Sequence, residues 1–526
     1  MRTRFLLFFF ALIGTVAAQT MGWQLVWSDE FNGAAGSPPD PTKWNYDIGG
    51  GGWGNGELET YTNSTQNAFQ DGNGNLVIRV IRDSNGNYTS ARLQSGSPGA
   101  STNTADNSWQ YGMVVARVKL PFGHAVWPAF WMLGENIGTV SWPACGEVDI
   151  MENFGTYNNV NDINVNNGNL HGPIATGSST AYENAGNSYT LPFGEQVNTD
   201  YHVYAIQWSQ DSVAFSVDGQ VYYTGTPSQV PSGQWKFNNP FFILLNVAIG
   251  GPSTFLGTPN ANAPFANQDM LVDYVRVYQQ TPVSATTPVI TPGQVVNGAS
   301  YLGDLAPGGL ASVFGTQLAD GMPTIDATNG FPKTAGNVAV SVDGVNAPLT
   351  YVSPTQINFQ VPWETPVGQS VPIVVTRDTT PSAPEYATVA AAAAPSMFLS
   401  DYVSTSGLAW VTGTGCALTE CSVQAGAVYE LWANALGPKN APLQDGMGAV
   451  YNGSLTPLEV PGSPASCQLT IGGETATVQY CGAAPGEIID QINFVYPSGV
   501  TSNPAEASLT INGVTGYFRV PGPTGQ

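Results

Sequence analysis

Glu147-Val148-Asp149-Ile150-Met151-Glu152 sets three carboxylates into six residues of a chain in which only 10% of residues are charged. Acids this close repel one another, and burying them among apolar neighbours costs free energy. An extended strand accounts for the spacing. Alternate side chains share a face, so Glu147 and Asp149 lie on one side and Val148 and Ile150 on the core side. Glu152 has the wrong parity to join them unless one extra residue near Met151 forms a β-bulge that returns it to the acids' face. Three solvated acids on an edge strand is the bland alternative, and the aromatic surroundings of the segment argue against it.

Two glutamates on one face with an aspartate between them suit hydrolysis of a glycosidic bond. One attacks the anomeric carbon while the other protonates the leaving oxygen. Neighbouring negative charge and partial desolvation both raise a glutamate's pKa, as the proton donor requires. A retaining reaction sets the two carboxyl groups about 5–5.5 Å apart.

The elements that must position these groups are strands. The 526 residues are 42% hydrophobic, with Gly 61 and Pro 39 marking many turns. Runs such as Ala205-Ile206-Gln207-Trp208 and Val213-Ala214-Phe215-Ser216-Val217 read as short strands, which gives an all-β composition. The length allows about three domains. A net charge of -23 argues against nucleic acid or an anionic membrane surface as partner and is compatible with a neutral polysaccharide.

Arg2 and Arg4 precede the apolar run from Phe5 to Ile13, and Val16-Ala17-Ala18 supplies small residues before Gln19. That is the layout of a secretory signal over residues 1–18. The apolar run is shorter than the ~20 residues a spanning helix needs, so export without membrane insertion is expected. Five cysteines agree with an oxidising compartment. Cys416 and Cys421 can close a small loop and Cys467 and Cys481 can staple neighbouring strands, other pairings of the four being open. Cys145 reads as a buried small residue. His124, His171 and His202 are too scattered to suggest a zinc site.

A first domain spans residues 19–280. The Pro/Thr/Ser stretch that follows reads as a linker over 281–292. The remainder repeats itself: Gln356-Ile357-Asn358-Phe359 returns as Gln491-Ile492-Asn493-Phe494. Val340-Ser341-Val342-Asp343-Gly344 likewise has a counterpart in Leu469-Thr470-Ile471-Gly472-Gly473. Two smaller β-sandwich modules, 293–394 and 395–526, fit this pattern, with the break at the alanine run Ala390 to Ala394. Around Ala306-Pro307-Gly308-Gly309-Leu310 they resemble immunoglobulin-like, transcription-factor-type sandwiches of secreted bacterial proteins. Spacer, surface tether and glucan-binding module are the open roles.

The acidic segment and its flanks resemble glycoside hydrolase family 16. Trp27-Ser28-Asp29-Glu30-Phe31 opens the domain as in that family. Tyr111-Gly112-Met113 leads into Trp127-Pro128-Ala129-Phe130-Trp131-Met132, Trp142-Pro143-Ala144-Cys145-Gly146 precedes the acids, and Val272-Asp273-Tyr274-Val275-Arg276 closes the domain. The resemblance covers about half the chain and is nearest the laminarinase branch, which cleaves β-1,3-glucans. It implies a jelly-roll β-sandwich with a concave substrate cleft, and net retention.

The resemblance makes Glu147 the nucleophile, Glu152 the acid/base and Asp149 their assistant. It places Trp142, Asn55 and Arg92 against sugar, with an ion pair to a loop acid as the other reading of Arg92. Trp127 and Trp131 line the cleft or pack in the core. His171 stands near the acid/base or as a satisfied core histidine. No cofactor for catalysis is implied. A structural calcium held by Glu30 and Asp273 is implied by resemblance alone. Where many laminarinases carry tryptophan after a glycine pair, this chain reads Gly250-Gly251-Pro252-Ser253-Thr254-Phe255, and Phe255 is the candidate replacement platform. Mixed-linkage β-1,3-1,4-glucanase and a non-catalytic glucan-recognition or surface protein are the alternatives to an endo-β-1,3-glucanase.

Overall fold

Val114, Ala116 and Val118 of the strand Gly112–Lys119 point into a shared apolar core, while Met113, Val115 and Arg117 line its other face. The strand Gln268–Pro282 does the same, with Val275 and Val277 inward and Tyr274, Arg276 and Tyr278 outward. Both belong to a ten-stranded sheet. A seven-stranded sheet packs against its inner face through Phe130, Met132, Val148, Leu170 and Val247. Each such side chain contributes about 1.5–3 kcal/mol on burial, which is what binds the two sheets.

The chain is described from a computed structural model. It covers residues 21–523 apart from 103, 183–184, 261–264, 302–303, 392, 400–407, 414–415, 419, 422, 440–442, 449–459 and 461. The proposed signal, from Arg2 to Gln19, lies outside the described residues. Among the described residues no helix is long and apolar enough to cross a membrane.

The expected linker differs from what forms. The last strand of the first domain runs to Pro282, where it pairs with Met21, and the next strand begins at Val289. Val289 and Ile290 are buried, so the expected linker is strand at both of its ends and only residues 283–288 lie between the strands. Pro and Thr remove donors or limit rotamers, but they do not prevent pairing on an edge.

The two C-terminal modules have separate cores, one from Ile290 to Val389 and one from Ala393 to Val520. Their repeated segments occupy equivalent places. Gln356–Gln360 lies between Leu310–Thr316 and Leu349–Val352, as Asp490–Val495 lies between Val428–Asn434 and Thr477–Ala483. Val338–Val342 and Cys467–Ile471 each pair in the opposite sheet. The alanine run packs the seam: Ala390 and Ala394 meet Ala306 and Ala435. Cys467 is bonded to Cys481. Cys416 is in a disulfide and faces Cys421 in backbone register, the Cys421 side chain lying outside the described residues.

The first module docks on the outer face of the ten-stranded sheet. Arg276, 1% exposed, donates to both Glu30 oxygens at 2.9 and 2.7 Å, to the Tyr386 carbonyl at 2.9 Å and to Ser370 Oγ at 2.8 Å. Its guanidinium lies 3.6 Å from the centre of the Tyr274 ring. Arg117 bridges Asp273 and Asp304 at 2.7 Å each.

Candidate active site

The strand Glu147–Glu152 runs between Val126–Gly134 and Val165–His171 in the seven-stranded sheet. Gly146 precedes it at φ +83°, with the Phe241 ring 2.9 Å from where a Cβ would sit, so the entry to the strand is made for glycine. Cys145 beside it is buried, and burial pushes its thiol up to about 12, which leaves it an inert packing residue.

Pairing with the first neighbour is regular until Asp149 opposite Trp131. It then resumes at Met151 opposite Phe130, so Ile150 is the extra residue of a bulge. Ile150 and Met151 both enter the core with Val148. Glu152 thereby rejoins Glu147 and Asp149 on the outer face of the sheet. The residues opposite the acids share that face: His171 across from Glu147, Trp131 and Asn169 across from Asp149, and Ala129 and Asn167 across from Glu152.

Each acid has a distinct set of partners. Trp142 Nε1 donates to Glu147 Oε2 at 2.9 Å, while the ring itself is 45% exposed. Trp127 Nε1 donates to Glu152 Oε1 at 2.9 Å, and Asn169 hydrogen-bonds the same carboxylate. His171 Nε2 lies 2.9 Å from Asp149 Oδ2. Burial raises all three acids. For Asp149 the charge of Glu147 adds to it; for Glu147, His171 opposes it. Burial and then Asp149 push Glu152 up to about 8. Burial works against the His171 cation, but Asp149, Glu147 and Glu152 outweigh it and push the imidazole up to about 10. The site therefore holds three acids against one imidazolium, an arrangement in which one glutamate retains a proton that its partner has lost.

The other sequence candidates are distributed around this centre. Trp131 Nε1 donates to Asn246 Oδ1 at 2.7 Å, and Asn246 donates to Tyr61 Oη at 3.1 Å. Arg92 pairs with Asp47 at 2.9 Å and lies between the Trp53 and Trp131 rings, 5.0 and 4.8 Å from their centres. Asn55 is exposed and bonds Glu57 within its own loop. Phe255, 51% exposed, packs edge-on against Trp127, Phe154 and Tyr157. Sequence reasoning did not find Trp53, Asp47 or Asn246, which carry no motif of their own. Asn169 had a weak signal in the Asn-rich stretch after the acids.

Glu30 and Asp273 do not form the calcium site that the resemblance implies. Arg276 takes both oxygens of Glu30, and Arg117 Nη1 together with Thr388 takes Asp273 Oδ2. Carboxylates already neutralised by guanidinium groups do not fit a hard cation.

Residues 23–280 match the family described as beta-porphyranase A-D, GH16 domain. The chain is 36% identical over 271 residues to a beta-glucanase of Rhodothermus marinus, covering 49% of this chain and 85% of that protein. It is 37% identical over 281 residues to glucan endo-1,3-beta-glucosidase A1 of Niallia circulans, covering 49% of this chain but 38% of that one. A glucan endo-1,3-beta-glucosidase of Cryptopygus antarcticus is 34% identical over 275 residues, covering 48% of this chain and 91% of its own length.

Proposed function

The chain belongs to glycoside hydrolase family 16, and from that premise we propose that it is a retaining endo-β-1,3-glucanase acting on laminarin-like glucans. One observation carries the reading: the bulge at Ile150 sets both glutamates on one face, each fixed by an indole N–H. Glu147 attacks the anomeric carbon as Glu152 protonates the departing oxygen. Glu152 then takes a proton from the water that releases the sugar. Asp149, with the His171 imidazolium behind it, steadies the charge as it moves between them. Two carboxylates suffice for this chemistry, and no cofactor enters it. The exposed Trp142 ring offers an apolar wall to a pyranose, and Trp131 and Trp53 flank Arg92 beside it. A glucan-recognition protein without catalysis has no use for the paired glutamates present here.

The relatives' names favour β-1,3-glucan, while the family description names a porphyranase. Incubation with laminarin, lichenan, agarose and porphyran separates these. Reducing ends are expected fastest from laminarin, with the β-anomer appearing first by proton NMR. Faster release from agarose or porphyran, or an initial α-anomer, rejects the assignment.

The pH profile follows from the same charges. The reaction needs Glu152 protonated and Glu147 ionised. With Glu152 raised to about 8, kcat/KM falls as pH rises through that value, because the proton to be delivered is gone. With Glu147 also raised, the acid limb lies above the ordinary glutamate value of about 4.3. Rates undiminished well above pH 8 would exclude Glu152 as the acid.

The basic, apolar and small-residue layout of residues 1–18 supports export, and the retained disulfide Cys467–Cys481 is consistent with it. The modules serve as immunoglobulin-like spacers or surface tethers rather than as glucan binders. Their described residues present no exposed Trp, Tyr or Phe for a sugar to stack on.

A further inference from the structure

Glu195, His202 and Asp218 come from three separate segments and meet on the ten-stranded sheet, not on the sheet that carries the catalytic acids. His202 opens the strand His202–Ser209, Asp218 follows the strand Ser212–Val217, and Glu195 follows the turn Pro192–Gly194. One ring nitrogen and one oxygen from each carboxylate lie within 4.8 Å of one another. Asp218 fixes the ring, its Oδ2 lying 2.8 Å from Nδ1 while its Oδ1 accepts the Val203 N–H at 2.8 Å. The second nitrogen, Nε2, is buried with no hydrogen-bond partner on a residue 5% exposed. An imidazole held by a carboxylate through one nitrogen, with the other uncommitted, is the arrangement of a metal-ligating histidine.

The surroundings add charge of the right sign. The three residues line a cavity of about 120 Å³ that the second module closes with Ala393–Met397 and Val514–Phe518. Asp200 and Asp304 line it as well. Arg117 is the only arginine or lysine among the lining residues, and it is already paired with Asp273 and Asp304. Asp218 is matched by His202 and Asp304 by Arg117, which leaves Glu195 and Asp200 as the excess acids among the lining residues.

We propose that this cavity binds one divalent transition-metal cation of the zinc class, with His202 and Glu195 as ligands, Asp218 holding the imidazole and solvent completing the shell. An imidazole ligand favours zinc over calcium. All the named ligands belong to the hydrolase domain, and the second module contributes the wall that encloses the cation. Histidines scattered in sequence gave no sign of this, since the partners are single carboxylates on neighbouring turns.

The test is equilibrium dialysis of the full chain, stripped with chelator, against zinc, with the metal counted by atomic emission. Glu147, Asp149 and His171 form a second cluster able to hold zinc, so the decisive quantity is the difference between parent and variants. The parent is expected to retain one more zinc per chain than Glu195→Gln, a change at a half-buried position, and than His202→Asn. Asp218→Asn is expected to weaken that zinc about 10–100-fold. Zinc raises the melting temperature of the parent by more than that of Glu195→Gln, while the laminarin rate of Glu195→Gln matches the parent's. Equal zinc counts in the parent, Glu195→Gln and His202→Asn overturn the proposal, whatever the outcome of the glucan assays.

Discussion

Glu147→Gln is expected to hydrolyse laminarin about 10⁴-fold or more slowly than the parent, because an amide of the same size fills the site and cannot attack. Its oxygen still accepts from Trp142 Nε1, so the strand and its bulge stay in place. Glu152→Gln removes the proton donor and is expected to cost about 10²–10⁴-fold on the same polysaccharide. The two variants separate on an aryl glycoside with a good leaving group. That substrate needs no protonation, so Glu152→Gln forms the glycosyl-enzyme at nearly the parental rate and stalls at its hydrolysis, giving a burst. Glu147→Gln gives none. A burst from Glu147→Gln, or parental laminarin turnover by either variant, reverses or removes the roles.

Arg276→Met is expected to destabilise the seam between the hydrolase domain and the first module by about 3–5 kcal/mol, the cost of breaking a buried pair by removing one partner. Methionine fills much of the volume under Tyr274 but leaves the Glu30 carboxylate and the Tyr386 carbonyl without their donor. Glu385, buried nearby and pushed up to about 7 by burial against the opposing pull of Arg276, loses its nearest cation as well. Chemical unfolding should show the midpoint of the seam's transition moving down, and a protease should cut between Pro282 and Val289 where the parent resists. Laminarin turnover at low temperature should survive, since none of these groups touches the acids. An unchanged midpoint and an intact 282–289 segment would mean that the guanidinium network contributes nothing net.

What could be read in advance followed from period and repetition. The strand parity of six residues demanded a bulge, and Ile150 supplies it. The echo of Gln356–Phe359 in Gln491–Phe494 marked two modules, and both segments fill the same place in their sheets. What could not be read depended on partners distant in the chain. Arg92 found Asp47, and Glu30 found Arg276, 246 residues away. The two ends of the Pro/Thr/Ser stretch became strand because Met21 pairs with Pro282 and Thr316 with Val289. Glu195, His202 and Asp218 likewise gain meaning only once three turns meet.

The three buried acids and the Arg276 seam lie on opposite outer surfaces of one sandwich, whose sheets are about 10 Å apart. A polysaccharide strand being cut therefore runs along the front of the molecule while its cargo of modules rides on the back. Whatever the modules grip, a single glucan strand cannot be gripped by them and cut at that same point.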